Sequence, residues 1–330
     1  MNVSPNASAV TFPNNEGHRL FGILHHVGQP RPADTAILLL SPGVKGRVAP
    51  HRLYKKMADR FVTLGFPVLR FDFHGLGDSE GEAPDALLAD LYGATQVGRY
   101  VPDAIAAMDW MQQRYGIARF IAAGLCGGAL TGLLAAQRDR RVVGLLGLSI
   151  PVILDGSNID FTKYMTTTQL KGTRNRYFGK FRLWDPDVWR SWRRFFTFQS
   201  HYSLIVRSIL KPLRAGLQGA ARRTNPDTQP GDNTNPHFLP AFRAMTTSSR
   251  PIFLAFAEGD RLWYEFEQKF LARHGEELQA SAGRYEVHVT KEANHIFSNT
   301  EWQQDVLEQS SRWLQRHRTG APADLVGAVN

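Results

Sequence analysis

The sequence holds a single cysteine, Cys126, and it stands in Gly124-Leu125-Cys126-Gly127-Gly128. A thiol set between glycines can act as a nucleophile where the chain makes a tight strand-to-helix turn. Side chains two positions either side of such a turn would collide. The amides that open the helix face the sulfur, favour its thiolate and can donate to a developing oxyanion. Two more residues could complete that chemistry: Asp260, in Glu258-Gly259-Asp260, and His295, in Glu292-Ala293-Asn294-His295-Ile296-Phe297. A carboxylate orients an imidazole and stabilises its protonated form, and the imidazole takes the proton of the thiol. Each residue also has a plainer reading. Cys126 could be a small buried side chain, Asp260 a turn former and His295 a surface residue. Their joint placement favours a Cys126–His295–Asp260 triad, with Glu258 the weaker alternative acid and His288 expected to face one side of a strand.

The elements that must position these residues follow from apolar patterning. Val10–Phe12 and Leu20–His25, joined at Asn14-Asn15-Glu16-Gly17, read as two short strands and a turn. Ala36–Leu40 is a continuous apolar run that stops at Ser41-Pro42-Gly43, as a buried strand does. Helical periodicity covers about Arg52–Leu64 and Ala86–Arg114, the latter as two helices, with the strand Pro67–Phe71 between them. The strand Arg119–Ala123 leads into Cys126 and the helix Gly127–Gln137, and Val142–Ile150 is another buried strand. After Pro151 the rhythm breaks until the strand Pro251–Ala257. A helix at Leu262–His274, a strand at Tyr285–Val289 and a helix at Glu301–Arg316 then restore it. Alternation of this kind predicts an α/β fold, a mostly parallel central sheet with helices on both faces. Asp260 and His295 each follow a strand, in the order nucleophile, acid, histidine.

At this point the chain resembles the α/β-hydrolase superfamily, most closely its serine-aminopeptidase-type (monoacylglycerol-lipase-like) branch, over about residues 10–150 and 250–317. The residues that carry the likeness are the elbow, Ser41-Pro42-Gly43, and Arg70-Phe-Asp-Phe-His-Gly-Leu-Gly-Asp-Ser-Glu-Gly81. The last is similar to the family's D-x-R/H-G-x-G-x-S-x-G loop. The resemblance implies the α/β-hydrolase fold, the Cys126, Asp260 and His295 triad, and an oxyanion hole from the backbone amides of Val44 and Gly127. It implies no cofactor and no metal. Arg70–Gly81 reads as support for the floor of the site. Cysteine is the departure, since most relatives carry serine. Cysteine elbows occur in dienelactone hydrolases, in polyhydroxyalkanoate synthases and in hydrolase-like proteins of exosortase-type gene clusters, and Gly-Leu-Cys-Gly-Gly-Ala is similar to the elbow of that last group.

The resemblance divides the chain into a hydrolase core, residues 1–150 and 248–320, a helical cap or lid at 151–247, and a flexible tail at 321–330. The formal net charge of +9 is concentrated in the insertion: Lys171–Arg223 carries thirteen Lys or Arg against Asp185 and Asp187. Aromatic residues crowd the same stretch, from Phe178 through Trp184, Trp189 and Trp192 to Phe198. Three readings of the basic excess stand open. They are a solvated cap surface, attraction of an anionic acyl substrate such as a carrier-bound thioester, and peripheral membrane contact by a basic, Trp-rich helix. No nucleic-acid-binding motif accompanies the charge, so a nucleic-acid partner is not expected. Met1–Val10 lacks the basic start and apolar stretch of a signal peptide, and with one cysteine no internal disulfide can form. Both point to a cytoplasmic protein.

The function expected is hydrolysis of an ester or thioester through an acyl-enzyme thioester. An acyltransferase using the same triad to acylate a glycan, a lipid or another acceptor is the alternative. A non-enzymatic binding protein on the same fold is the third reading. Neither the substrate nor the oligomeric state follows from the sequence.

Overall fold

The structure, a computed structural model, describes residues 7–28, 34–82, 88–154, 233–279 and 283–317. They belong to one compact unit drawn from residues 1–157 and 233–330. The aromatic and basic segment read as a cap, and the tail after residue 320, lie outside the described residues.

Eight strands form one sheet in the order β1-β2-β4-β3-β5-β6-β7-β8. They are β1 (Ala7–Pro13), β2 (Arg19–His25), β3 (Thr35–Leu40), β4 (Val68–Phe71), β5 (Arg119–Leu125), β6 (Val142–Leu148), β7 (Ile252–Ala257) and β8 (Tyr285–Thr290). β1 and β2 form the antiparallel hairpin expected from the Asn14–Gly17 turn, and β2 runs antiparallel to β4. From β4 through β8 every neighbouring pair is parallel. The α/β-hydrolase architecture expected of the sequence is therefore the one observed.

The continuous apolar runs are strands buried on both faces. In β3, Ala36, Leu38 and Leu40 face one core cluster, while Ile37 and Leu39 face the other. Helices α3 (Val101–Tyr115) and α4 (Gly127–Arg138) cover the first face, contributing Val101, Met108, Leu130 and Leu133. Helices α1 (Leu53–Thr63) and α8 (Thr300–Arg316) cover the second, with Tyr54, Phe61, Val306 and Trp313. The long helical pattern at 86–114 is broken into α2 (Leu88–Gln96) and α3, where Gly98 takes a left-handed φ of 97° and Pro102 opens the next helix.

One boundary differs from the sequence reading. Helix α5 (Phe238–Thr247), which that reading includes in the insertion, buries Phe238, Ala241, Phe242 and Met245 in the first core cluster and belongs to the same compact unit as the sheet. Its apolar residues recur at helical spacing, a pattern that a cap helix and a core helix share. After β7 the chain forms α6 (Arg261–Glu265), a π-type turn (Phe266–Leu271) and α7 (Ala272–Gln279).

Candidate active site

Cys126 sits at the junction of β5 and α4 with φ 55° and ψ −118°. A non-glycine residue holds such angles only where its surroundings over-determine them, and here they do. The Cys126 amide donates to Leu148 O at 2.8 Å, and its carbonyl accepts from Leu130 N at 3.1 Å. The glycines leave the space the turn requires. A Cβ on Gly124 would lie 2.5 Å from the carbonyl carbon of Gly128, and one on Gly127 would lie 2.9 Å from Pro42 O. Gly127 is thus pressed against Pro42 and Gly43 of the loop that leaves β3.

Asp260 and His295 converge from the ends of β7 and β8. His295 Nδ1 and Asp260 Oδ2 are 2.7 Å apart. The other carboxylate oxygen, Oδ1, accepts the Leu262 amide at 3.2 Å and caps α6. The two turns are tied by backbone bonds, Gly259 N to Ala293 O at 2.9 Å and Glu258 N to Thr290 O at 3.0 Å. Ala293 and Phe297 anchor the histidine loop in the second core cluster. Asp260 is buried and His295 is partly exposed.

The electrostatics of the pair follow from that placement. Burial penalises the charged imidazole, but the hydrogen bond to Asp260 and the adjacent Cys126 sulfur outweigh it, and His295 is raised from 6.5 to about 10. Burial also works against the Asp260 carboxylate, but the His295 hydrogen bond and charge hold it below its ordinary value.

The alternative residues are committed elsewhere. Glu258 Oε2 accepts the Glu292 amide at 2.8 Å. His288 pairs with Asp305 on the flank of β8 at 2.7 Å, a contact between strand and α8.

Several site neighbours were not singled out in the sequence. The Tyr92 hydroxyl lies 3.1 Å from Cys126 Sγ. Three residues on, Thr95 of the same helix packs where a Cβ on Gly43 or Gly127 would fall, at 2.8 and 2.9 Å from its Cγ2. Helix α2 therefore forms a wall of the site, and the i, i+3 spacing of Tyr92 and Thr95 is the only sequence signal of it. The hydroxyl of the fully buried Tyr54 donates to Leu40 O at 2.7 Å and accepts from Leu125 N at 2.6 Å, bridging the end of β3 to the residue before the cysteine. Arg47 pairs with the buried Asp72 and, at 2.7 Å, with Asp78, and its guanidinium lies 4.5 Å from the Phe21 ring centroid. Asp72 also accepts the Asp78 amide at 3.1 Å, and Ser79 Oγ donates to Asp72 O at 2.7 Å. The Arg70–Gly81 segment is thereby tied through Arg47 to the loop after β3. Among the described residues no group of three His, Cys, Asp or Glu is placed to hold a metal ion, and no helix is long and apolar enough to cross a membrane.

The sequence profile of the alpha/beta hydrolase family matches residues 37–309. The chain belongs to this family. Among solved structures it is similar to the esterase Pf2001 of Pyrococcus furiosus, at 18% identity over 96% of this chain and 94% of that one with a TM-score of 0.56. It is also similar to the alpha/beta hydrolase GrgF of Penicillium sp. sh18, at 17% identity over 95% and 99% with a TM-score of 0.54. A third is the putative alpha/beta hydrolase ATU1826 of Agrobacterium tumefaciens, at 16% over 94% and 95% with a TM-score of 0.51. At these identities the likeness is one of fold. No curated protein matches the chain.

Proposed function

We propose that the chain is an ester or thioester hydrolase in which Cys126 is the nucleophile, His295 the acid and base, and Asp260 the residue that orients it. The observation that carries this reading is the strained Cys126 backbone, with φ 55° at the head of α4, facing a histidine that Cys126 and Asp260 together raise to about 10. A histidine that holds its proton so firmly supports a resting pair of imidazolium and thiolate. The sulfur attacks the carbonyl carbon, and the carbon–sulfur bond forms as the carbonyl electrons move onto oxygen. The amides of Val44 and Gly127 are the proposed donors to that oxyanion. For Gly127 the support is its place at the first turn of α4, where amides have no intrahelical acceptor. As the tetrahedral intermediate collapses, the imidazolium proton passes to the departing alkoxide or thiolate.

The acyl-enzyme that remains is a neutral thioester. With the sulfur's charge gone, one cause of the raised imidazole pKa disappears, so the now neutral His295 can take a proton from water. Water attack then releases the acid and restores the starting pair. The substrate class proposed is a small or carrier-bound acyl ester or thioester, drawn in by the basic Lys171–Arg223 segment if it is anionic. Kinship with the serine-aminopeptidase-type branch, and with the exosortase-associated cysteine elbows, is part of the same proposal.

The test is direct. Wild-type protein should hydrolyse p-nitrophenyl acyl esters or acyl thioesters, and iodoacetamide should label Cys126 and stop turnover. Intact-mass measurement after exposure to an acyl thioester should find one acyl adduct, absent in Cys126→Ala. Turnover by Cys126→Ala at the wild-type rate would refute the assignment. Adding alcohol or sugar acceptors separates hydrolysis from acyl transfer by the product formed.

A further inference from the structure

The chemistry proposed for Cys126 uses His295, Asp260 and two amides, yet a further group outside that set touches the sulfur. Tyr92 Oη lies 3.1 Å from Cys126 Sγ, and its ring packs against the core cluster that contains Cys126. The contact is held in place by the rest of α2. Thr95 Oγ1 donates to Leu91 O at 2.8 Å, and its methyl packs against Gly43 and Gly127. One turn from Tyr92, Gln96 is fully buried, and its side chain donates to Ile153 O at 2.7 Å. The backbone carbonyl of Gln96 accepts from Asn235 Nδ2 at 2.8 Å. Both bonds tie the C-terminal end of α2 to the paired segments at Ile153 and Asn235, which resists turning the tyrosine away from the sulfur.

We propose that Tyr92 is a catalytic residue whose hydroxyl donates a hydrogen bond to the Cys126 thiolate and so sets the fraction of sulfur that is ionised, an inference that rests on Cys126 being the nucleophile. The direction of the bond follows from the chemistry of the two atoms. A thiolate can only accept, a thiol is a weak donor, and a phenol is a strong one. A donor to an ionised group counts for more than one to a neutral group. The bond has a second consequence, because a sulfur anion relieved of a donor is less abundant but intrinsically more nucleophilic. Once the sulfur is acylated it is a poor acceptor, and the hydroxyl is released towards whatever stands next to the thioester.

The experiment is the pH profile of Cys126 alkylation by iodoacetamide in wild type and Tyr92→Phe, with the thiolate ultraviolet absorbance followed in parallel. Removing one charge-assisted hydrogen bond should move the midpoint of both curves upward by about one unit, a roughly ten-fold loss of rate on the acid side. On the alkaline plateau the variant should react at least as fast as wild type. A tyrosine that merely shapes the pocket would scale the profile without moving its midpoint. A midpoint unchanged in Y92F, with Cys126 still selectively labelled, overturns the role of Tyr92 and leaves the nucleophile standing. Failure of iodoacetamide to select Cys126 in wild type overturns both. A measurement that keeps Tyr92 covers any folding defect of Y92F. In Cys126→Ala the thiolate is gone, so the tyrosine absorbance titration should gain a component ionising at lower pH than in wild type, and its absence would also overturn the proposal.

Discussion

Tyr54 offers the sharpest test of how the elbow is held. Just past β5, the Cys126 N–H points to β6, where Leu148 O accepts it at 2.8 Å. Amides alternate sides along a strand, so Leu125 N–H points the other way, towards β3. But β3 ends at Leu40, opposite Gly124, because the chain turns off at Ser41-Pro42-Gly43 to form the loop beside Cys126. No strand residue remains to receive the Leu125 amide, and the Tyr54 hydroxyl takes that place at 2.6 Å while donating to Leu40 O at 2.7 Å. Tyr54→Phe deletes one oxygen from a fully buried position. It orphans a buried amide and removes one donor from a carbonyl, for a loss of about 2–4 kcal/mol. In a domain of this size that lowers Tm by about 3–8 °C. Urea unfolding followed by fluorescence should show a lower midpoint at unchanged slope, since the surface exposed on unfolding is the same. Alkylation of Cys126 should slow as well, because Leu125 is its covalent neighbour. A Y54F protein within about 0.5 kcal/mol of wild type, the scatter of an ordinary surface change, would refute the reasoning.

Two further outcomes test the same site. An NMR titration of the imidazoles should find His295 protonated up to about pH 10, and Cys126→Ala should bring its midpoint down, since Cys126 is among the causes that raise it. Because the folded value lies above the ordinary 6.5, the protonated pair stabilises the fold fully below pH 6.5, and that contribution disappears as pH rises through about 10. A midpoint near 6.5 in the wild type would contradict the proposed ion pair. In Arg47→Met the buried Asp72 loses its guanidinium, and chemical denaturation should record a loss of about 2–4 kcal/mol. The accompanying fall in kcat, with KM less affected, would show that the loop bearing Val44 had loosened.

Some of this protein is decided by short stretches of chain. A run such as Thr35–Leu40 can bury six successive side chains only between two layers of helices, so element type and the doubly covered sheet follow from local apolar pattern. Gly124-Leu125-Cys126-Gly127-Gly128 reads as an elbow for the same reason: close approach and a strained φ leave local marks, namely glycine and its spacing. The ends of β7 and β8 likewise announce Asp260 and His295, whose separation in space follows once both strands lie in one parallel sheet. Other features leave no such mark. Tyr92 reaches Cys126 across 34 residues and Tyr54 reaches Leu125 across 71, and neither contact exists until helices α1 and α2 are docked on the sheet. Helix α5 shows the converse, because an amphipathic pattern says that a face is buried but not against what. The sequence by itself determined the candidate nucleophile, its partners and the layers that carry them. Only the tertiary structure decided which hydroxyls touch the sulfur and its strand, because those partners are chosen by packing between elements rather than by periodicity within one.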